Sequence, residues 1–346
     1  MKIEVYSPTI RRKEMDAVLT AMVEDRIGPG EQAKFLVQTA REKIKFDYCL
    51  SLRSPAIALY LALKSLNLEK GQGVLISALS PLYFRRVIED LALVPQYCDV
   101  DLSTACVSRE TVSKAMEGDQ NIKCIILHHT LGFIPDADAI AELNLPVIVD
   151  CSHSYGTETE EPSQVVVTPA LTPVFTILGL EERDMLTSGG GALLFSVNRR
   201  DSALLRGLSD LPPEYGLPDM NAALAVVQFR EAAKNLLKRR EIAELYTQSA
   251  ARTRHKMFVR QGMEYNNYAF PLVLESGVNE VKTYARRKDI VVENAFENTL
   301  AGNGAVSPEK CPHAYSLSLR TVLFPLYPRL GMARAGKVAK LIMTLP

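Results

Sequence analysis

The sequence predicts an α/β protein: a large domain built on a helix-covered, mostly parallel sheet, then a smaller α/β domain. Three observations carry this. Short apolar segments alternate with amphipathic ones from Tyr48 to Cys151, the order that βα units impose. Several of these segments, such as GVLISAL (73–79) and CIILHHT (124–130), are apolar almost throughout, as strands covered on both faces are. After Phe195 the rhythm changes to one long helical stretch, 219–250, and a second, shorter set of elements. The domains are placed at residues 1–240 and 241–346.

Residues 10–24 predict a helix with Ala17, Val18, Ala21 and Met22 on one face, and Gly28-Pro29-Gly30 breaks the chain after it. The next helix carries Phe35, Val37, Ala40 and Ile44 at its apolar positions. YCLSL (48–52) is a short strand. Residues 54–68 form a helix, with Ser54 as N-cap and Pro55 pre-set for the first helical position. A strand (73–79), a helix (81–93), a strand (95–101), a helix (108–116), a strand (124–130) and a helix (136–143) follow. PVIVDC (146–151) is the next strand; it ends in an acid, Asp150, with His153 just beyond. Downstream, Ser188-Gly189-Gly190-Gly191 is a turn that feeds the strand ALLFS. An acid at one strand end and a glycine turn after a second strand place a ligand pocket at the carboxyl edge of the sheet. In the helix 219–250 the basic run Lys238-Arg239-Arg240 reads as a solvated face. YAFPLVLES, NEVKTYARRK and DIVVENAF begin the smaller domain, and ARAGKVAKLIMTL closes the chain as a helix.

A chain of 346 residues that is 47% apolar can bury a substantial core. Forty basic and forty acidic residues cancel, which argues against a nucleic-acid footprint or a polybasic membrane surface. No apolar run has transmembrane length, and MKIEVYSPTIRRKEM lacks the h-region of a signal peptide; a cytoplasmic protein is expected. The six cysteines, Cys49, Cys98, Cys106, Cys124, Cys151 and Cys311, show no CxxC spacing. Reduced, buried thiols are expected, with neither a disulfide framework nor a metal site.

The segments IGPGEQAKFLVQTAREKIKFDYCLSLRSPAIALYLAL, HHTLGFIPDADAI, VIVDCSHSYG, EYGLPDMNAALAVVQFREAAKNLLKRREIAELY and CPHAYSLSLRTVLFPLYPRL follow one another in a telling order. That order and spacing resembles the DegT/DnrJ/StrS family of sugar aminotransferases, which use pyridoxal phosphate on fold type I. The resemblance implies an aspartate aminotransferase-like architecture: a three-layer large domain with a mostly parallel, mixed sheet, and a smaller C-terminal α/β domain. It also implies a homodimer, a cofactor bound between subunits and a keto-sugar nucleotide as amino acceptor.

Pyridoxal chemistry needs a lysine amine that forms a Schiff base. The family's lysine precedes the glycine turn. An ungapped count back from Gly191-Ala192-Leu193 puts Arg183 at that position, and a shift of one puts Asp184 there. Neither forms an imine, and no lysine occurs between Lys123 and Lys234. Relatives with histidine in its place are not matched either, since the nearest histidines are His153 and His255. The family's phosphate site is a Gly-Thr pair at a helix N-terminus. Here Ser54 is kept, but Pro55 removes an N–H donor and Ala56 a hydroxyl. The phosphate-contacting serine falls at Leu178, the second subunit's asparagine at Glu214, and the ring-stacking aromatic at Pro81, with Tyr83 and Phe84 nearby. Asp150 matches the acid that holds the pyridinium nitrogen protonated, and His153 replaces a glutamine near the ring hydroxyl.

The resemblance therefore implies no catalytic lysine, no covalently bound cofactor and a vestigial pocket of Ser54, Asp150, His153, Arg183 and Ser188. A diverged, non-catalytic member is expected, one that binds a sugar nucleotide or pairs with an active relative. Two alternatives stay open: an active pyridoxal enzyme with a lysine from elsewhere, and a pyridoxal-independent enzyme that reuses the cleft around Asp150, His153 and Arg183. A Cys151–His153 nucleophile is disfavoured, because nothing supplies an oxyanion site.

Overall fold

The computed structural model describes residues 2–117, 121–135, 140–157, 172–208, 210–259 and 265–346. Among these, ten strands and ten α-helices are labelled in chain order. The helices are α1 (Arg12–Val23), α2 (Glu31–Arg41), α3 (Pro55–Ser65), α4 (Leu82–Asp90), α5 (Arg109–Met116), α6 (Arg199–Arg206), α7 (Asp219–Ala250), α8 (Val278–Arg286), α9 (Pro312–Arg320) and α10 (Met332–Met343). The large sheet holds β1 (Tyr48–Leu52), β2 (Gly73–Ser77), β3 (Val94–Cys98), β4 (Ile122–His128), β5 (Val147–Asp150), β6 (Phe175–Gly179) and β7 (Ala192–Ser196). Their order across the sheet is β1-β7-β6-β5-β4-β2-β3.

The pairs from β3 through β2, β4 and β5 to β6 are parallel; β7 runs antiparallel to both β6 and β1. The sheet is thus mostly parallel and mixed. β2, β5, β6 and β7 are buried along their whole length, which explains why they are apolar throughout. β3 is an edge strand, exposed at Val94 and buried only at Cys98. A second sheet, ordered β8-β10-β9, joins Phe270–Val273, Thr321–Phe324 and Glu293–Asn294 in antiparallel pairs.

Local signals hold where expected. The Ser54 hydroxyl accepts the Ile57 N–H at 3.2 Å, with Pro55 at the first helical position of α3. The helix at 219–250 forms over that whole stretch, 32 residues as α7. Three details differ. Met22 and Phe35 face solvent at 51% and 40% exposure; the inward positions of α2 are Ala33, Leu36 and Ala40, and the Phe35 ring lies under the Arg230 guanidinium instead. Arg239 is not on a solvated face. It is 5% exposed and donates to the carbonyls of Tyr268 and Leu326 at 2.9 and 3.0 Å, because α7 runs from one apolar cluster into another. Of the helix expected at 136–143, residues 136–139 lie outside the described residues, as does the stretch 158–171 before β6.

The larger apolar cluster includes Leu36, Ile76, Ile126, Phe175, Phe195 and, from α7, Ala222 to Ala232. The smaller one takes Ile242, Ala243 and Tyr246 from the same helix and includes Ile3, Phe270, Val322 and Ile342. All six cysteines are buried and free. No helix among the described residues is long and apolar enough to cross a membrane.

Candidate functional site

Parallel strands β4 and β5 end side by side, with His128 in register with Asp150. Both are polar residues that close an apolar run, and both are buried, at 6% and 1% exposure. The turn after β5 brings Ser152 back: its N–H donates to Asp150 Oδ1 at 3.0 Å, and its hydroxyl donates to the same oxygen. On Oδ2, the Tyr83 hydroxyl donates at 3.2 Å and His128 Nδ1 lies 3.3 Å away. Burial opposes the charge on Asp150, but His128 and the Ser152 donors outweigh it and hold the carboxyl below the usual carboxylate range.

A second acid sits beside the first. Asp184, in the loop between β6 and β7, is 8% exposed and accepts the Glu181 N–H at 2.7 Å. Burial, reinforced by the Asp150 and Glu181 carboxylates, pushes it up to about 7. Its Oδ1 is 3.8 Å from His153 Nε2. The His153 ring stacks on Tyr268, with centroids 4.0 Å apart and planes 15° apart, and meets His128 edge-on at 4.9 Å. Burial, with His128 and His129 nearby, pushes the His153 imidazole down to about 3. At neutral pH it is therefore an uncharged ring, and its Nδ1 is buried without a hydrogen-bond partner. Gly179 is required by this crowding: a Cβ there would collide with the Asp184 carboxylate and lie 2.6 Å from the Ser152 hydroxyl.

The backbone frame is tight. Asn266 Nδ2 donates to the carbonyls of His153 and Tyr155 at 2.6 and 2.9 Å, which ties the turn after β5 to the segment before β8. Leu131, between His129 and Gly132, has φ 54°, a conformation that costs a non-glycine residue about 1–3 kcal/mol. The neighbouring His129 Nδ1 meets the Ser154 hydroxyl at 2.6 Å.

Of the five residues expected in the pocket, the structure brings Asp150 and His153 into this cluster. Arg183 turns outward: its guanidinium pairs with both Glu293 oxygens, at 2.8 and 3.4 Å, and lies over Tyr6. Asp184 is the side chain of that loop that turns in. Ser54 caps its own helix. The Ser188 hydroxyl donates to the Gly190 carbonyl at 2.8 Å, inside a turn whose three glycines have φ +73°, +148° and +130°. Cys151 is fully buried, with its thiol on the Ile177 carbonyl at 3.3 Å, and burial holds its pKa well above that of a free thiol. Among the described residues no group of three His, Cys, Asp or Glu side chains is arranged to hold a metal ion.

The sequence reading missed His128, Ser152 and Tyr268 as members of the cluster. His128 carries the signal that marked Asp150, a polar residue closing an apolar strand. Tyr268 carries none, because it reaches His153 only through the packing of the second sheet.

A family model described as the DegT/DnrJ/EryC1/StrS aminotransferase family matches residues 8–196 and 211–343. Among curated proteins, the L-glutamine:2-deoxy-scyllo-inosose aminotransferase of Streptomyces lividus is 25% identical over 242 residues, 66% of this chain and 55% of that protein. The protein of the same name from Streptomyces fradiae is 27% identical over 187 residues, 50% and 42% of the two chains. The matched stretch thus spans about half the length of these curated relatives. Among solved structures, the aminotransferase TlmJ from Streptoalloteichus hindustanus superposes with a TM-score of 0.87 at 19% identity, covering 99% of this chain and 98% of that one. The putative sugar aminotransferase Spr1654 from Streptococcus pneumoniae, in its PMP form, gives 0.87 at 17% identity, with 99% and 97% covered. At these identities the likeness establishes the fold, which is the aspartate aminotransferase-like one. The chain belongs to the DegT/DnrJ/EryC1/StrS aminotransferase family.

Proposed function

We propose that this chain does not carry out Schiff-base chemistry and serves as a binding member of its family, either holding a sugar nucleotide or pairing with an active relative. The observation that carries this is the loop between β6 and β7. The family draws its amine from there; this loop turns a carboxyl, Asp184, toward Asp150 and His153, and sends Arg183 outward to Glu293. The sequence offers no lysine from 124 to 233 to replace it.

The residues present do not suit the pyridoxal phosphate that the family implies. Among the described residues, no lysine amine is among the hydrogen-bond partners of Asp150, Asp184 or His153. Pro55 has no N–H to give a phosphate, and Ala56 has no hydroxyl. Glu214 adds a negative charge where the resemblance calls for an asparagine. The six buried cysteines, none of them in a disulfide, support a reducing compartment, the cytoplasm.

Borohydride trapping tests this reading. Protein mixed with pyridoxal phosphate and reduced is expected to show no stoichiometric adduct at any single lysine in peptide mass mapping. One lysine labelled to completion would restore the active-aminotransferase reading. Ligand choice then follows from a binding screen that includes sugar nucleotides and the inosose named for the curated relatives.

We also propose a homodimer. Met15, Leu19, Met22 and Val23 form a stripe on α1 at 51%, 55%, 51% and 83% exposure, more apolar surface than one helix face ordinarily leaves in water. Light scattering is expected to give about twice the 38.3 kDa chain mass. Leu19→Asp with Met22→Asp is expected to shift the protein to monomer. A wild-type chain that stays monomeric at high concentration counts against this proposal.

A further inference from the structure

We propose that Tyr83 is a built-in occupant of the ring site, its phenol holding the place on Asp150 that the family gives to the cofactor's pyridinium. The chain itself thereby closes the pocket to pyridine ligands, covalent or not. This rests on the reading above and takes it further, from a missing amine to a filled ring site.

Both oxygens of Asp150 are crowded by the protein itself. A carboxylate offers about four lone-pair sites. Asp150 is 1% exposed, and four protein groups crowd it: Tyr83 Oη on Oδ2 and Ser152 N and Oγ on Oδ1 by hydrogen bonds, and His128 Nδ1 at 3.3 Å from Oδ2 without one. A pyridinium N–H could enter only by displacing one of them. Three belong to the sheet edge. The Ser152 N–H is part of the turn itself, its hydroxyl is held by the Gly179 N–H at 2.8 Å, and His128 is fixed in register with Asp150. Tyr83 is the one that arrives from another layer, the first turn of α4.

Tyr83 is also held in place by its neighbours. Phe84 is fully buried beside it, with ring centroids 4.9 Å apart, and meets His128 edge-on at 5.9 Å. The start of α4 is pinned by the segment 299–301: Leu300 and Ala301 donate to the carbonyls of Ser80 and Ala78 at 3.1 and 2.8 Å, and Pro81 bridges Thr299. Burial, then the Asp150 charge, raises the phenol well above its ordinary pKa, so it remains a donor at any working pH. The resemblance puts the ring-stacking aromatic at Pro81, the N-cap of α4. Moving the aromatic into the first helical turn changes a platform beside the ring into a group on the acid itself.

The test uses pyridoxamine phosphate, which has no aldehyde, so its binding reads the ring site and is blind to imine formation. Equilibrium dialysis or ligand fluorescence on the full chain is expected to show no saturable binding to wild type at millimolar concentration. Tyr83→Ala, and Tyr83→Val as the milder variant should the first not fold, are expected to gain at least about tenfold in affinity. Asp150→Asn on the opened background is expected to remove the gain. Saturable, Asp150-dependent binding to wild type overturns the proposal. So does a folded opened variant that binds no better than wild type. Neither result bears on borohydride trapping, so a failure here leaves the Schiff-base reading standing, and a lysine adduct there would be recognised separately.

Discussion

Asp150→Ala is expected to lower folding stability by about 3–5 kcal/mol, the cost of removing one member of a buried, charge-bearing network and leaving the others unpaired. The substitution strips the acceptor from the Tyr83 hydroxyl and from the Ser152 N–H, and leaves His128 beside a void at a position 1% exposed. Asp150→Asn keeps the shape and one acceptor oxygen, and about 1–3 kcal/mol is expected for it. Urea unfolding measures both, with unchanged m-values as the check that the unfolded state is not what moved. The carboxyl is held below its ordinary value in the folded state, so its stabilisation is present above about pH 4 and is lost as pH falls through the folded value. The gap between wild type and Asp150→Ala should therefore narrow in acid. An alanine variant within about 0.5 kcal/mol of wild type at pH 7 would mean that the cluster is not a stability unit.

The opposite sign is expected at Asp184. Its folded pKa is raised to about 7, chiefly by burial and then by the Asp150 and Glu181 carboxylates. The protonated form is the favoured one inside the protein. Its stabilising contribution is complete below the unfolded value of about 4 and is lost as pH rises through about 7. Above that, the fold carries a buried charge. Asp184→Asn removes the charge and keeps an oxygen for the Glu181 N–H, now bonded at 2.7 Å. It is expected to match wild type near pH 4 and to be more stable by about 2–4 kcal/mol at pH 8. His153 and His129, both pushed down to about 3, give wild type and variant the same opposing slope, which cancels in the difference. Parallel stability curves for the two proteins from pH 4 to 8 would refute the assignment.

These two acids also mark the limit of what could be read from residues alone. Asp150 was legible because a carboxylate closing VIVD has no apolar reason to be there. His128 closes its own apolar run in the same way and could have been found by the same rule. The choice between Arg183 and Asp184 could not be made by counting. It depends on a loop that turns Asp184 onto the Glu181 N–H and lets Arg183 reach Glu293 on the second sheet. Ser54 was readable as a helix cap, and the cap is the contact it makes. Arg239 read as solvated because neighbouring charges usually are; three-dimensional packing instead gave its guanidinium two carbonyls from segments remote in the chain.

By itself the sequence determined the strands β1 to β5 in order, the cap at Ser54, the helix over 219–250 and the lack of a lysine from 124 to 233. Each is a local property, set by side-chain period, by capping groups within a turn, or by composition. Tertiary structure decided the rest. It placed β7 antiparallel between β1 and β6, brought Tyr268 onto His153, and set Tyr83, His128 and Ser152 around one carboxylate. The physical reason is that burial and hydrogen-bond satisfaction belong to an environment assembled from distant segments. The same residue type, an aspartate, is thereby held charged at 150 and driven toward neutrality at 184.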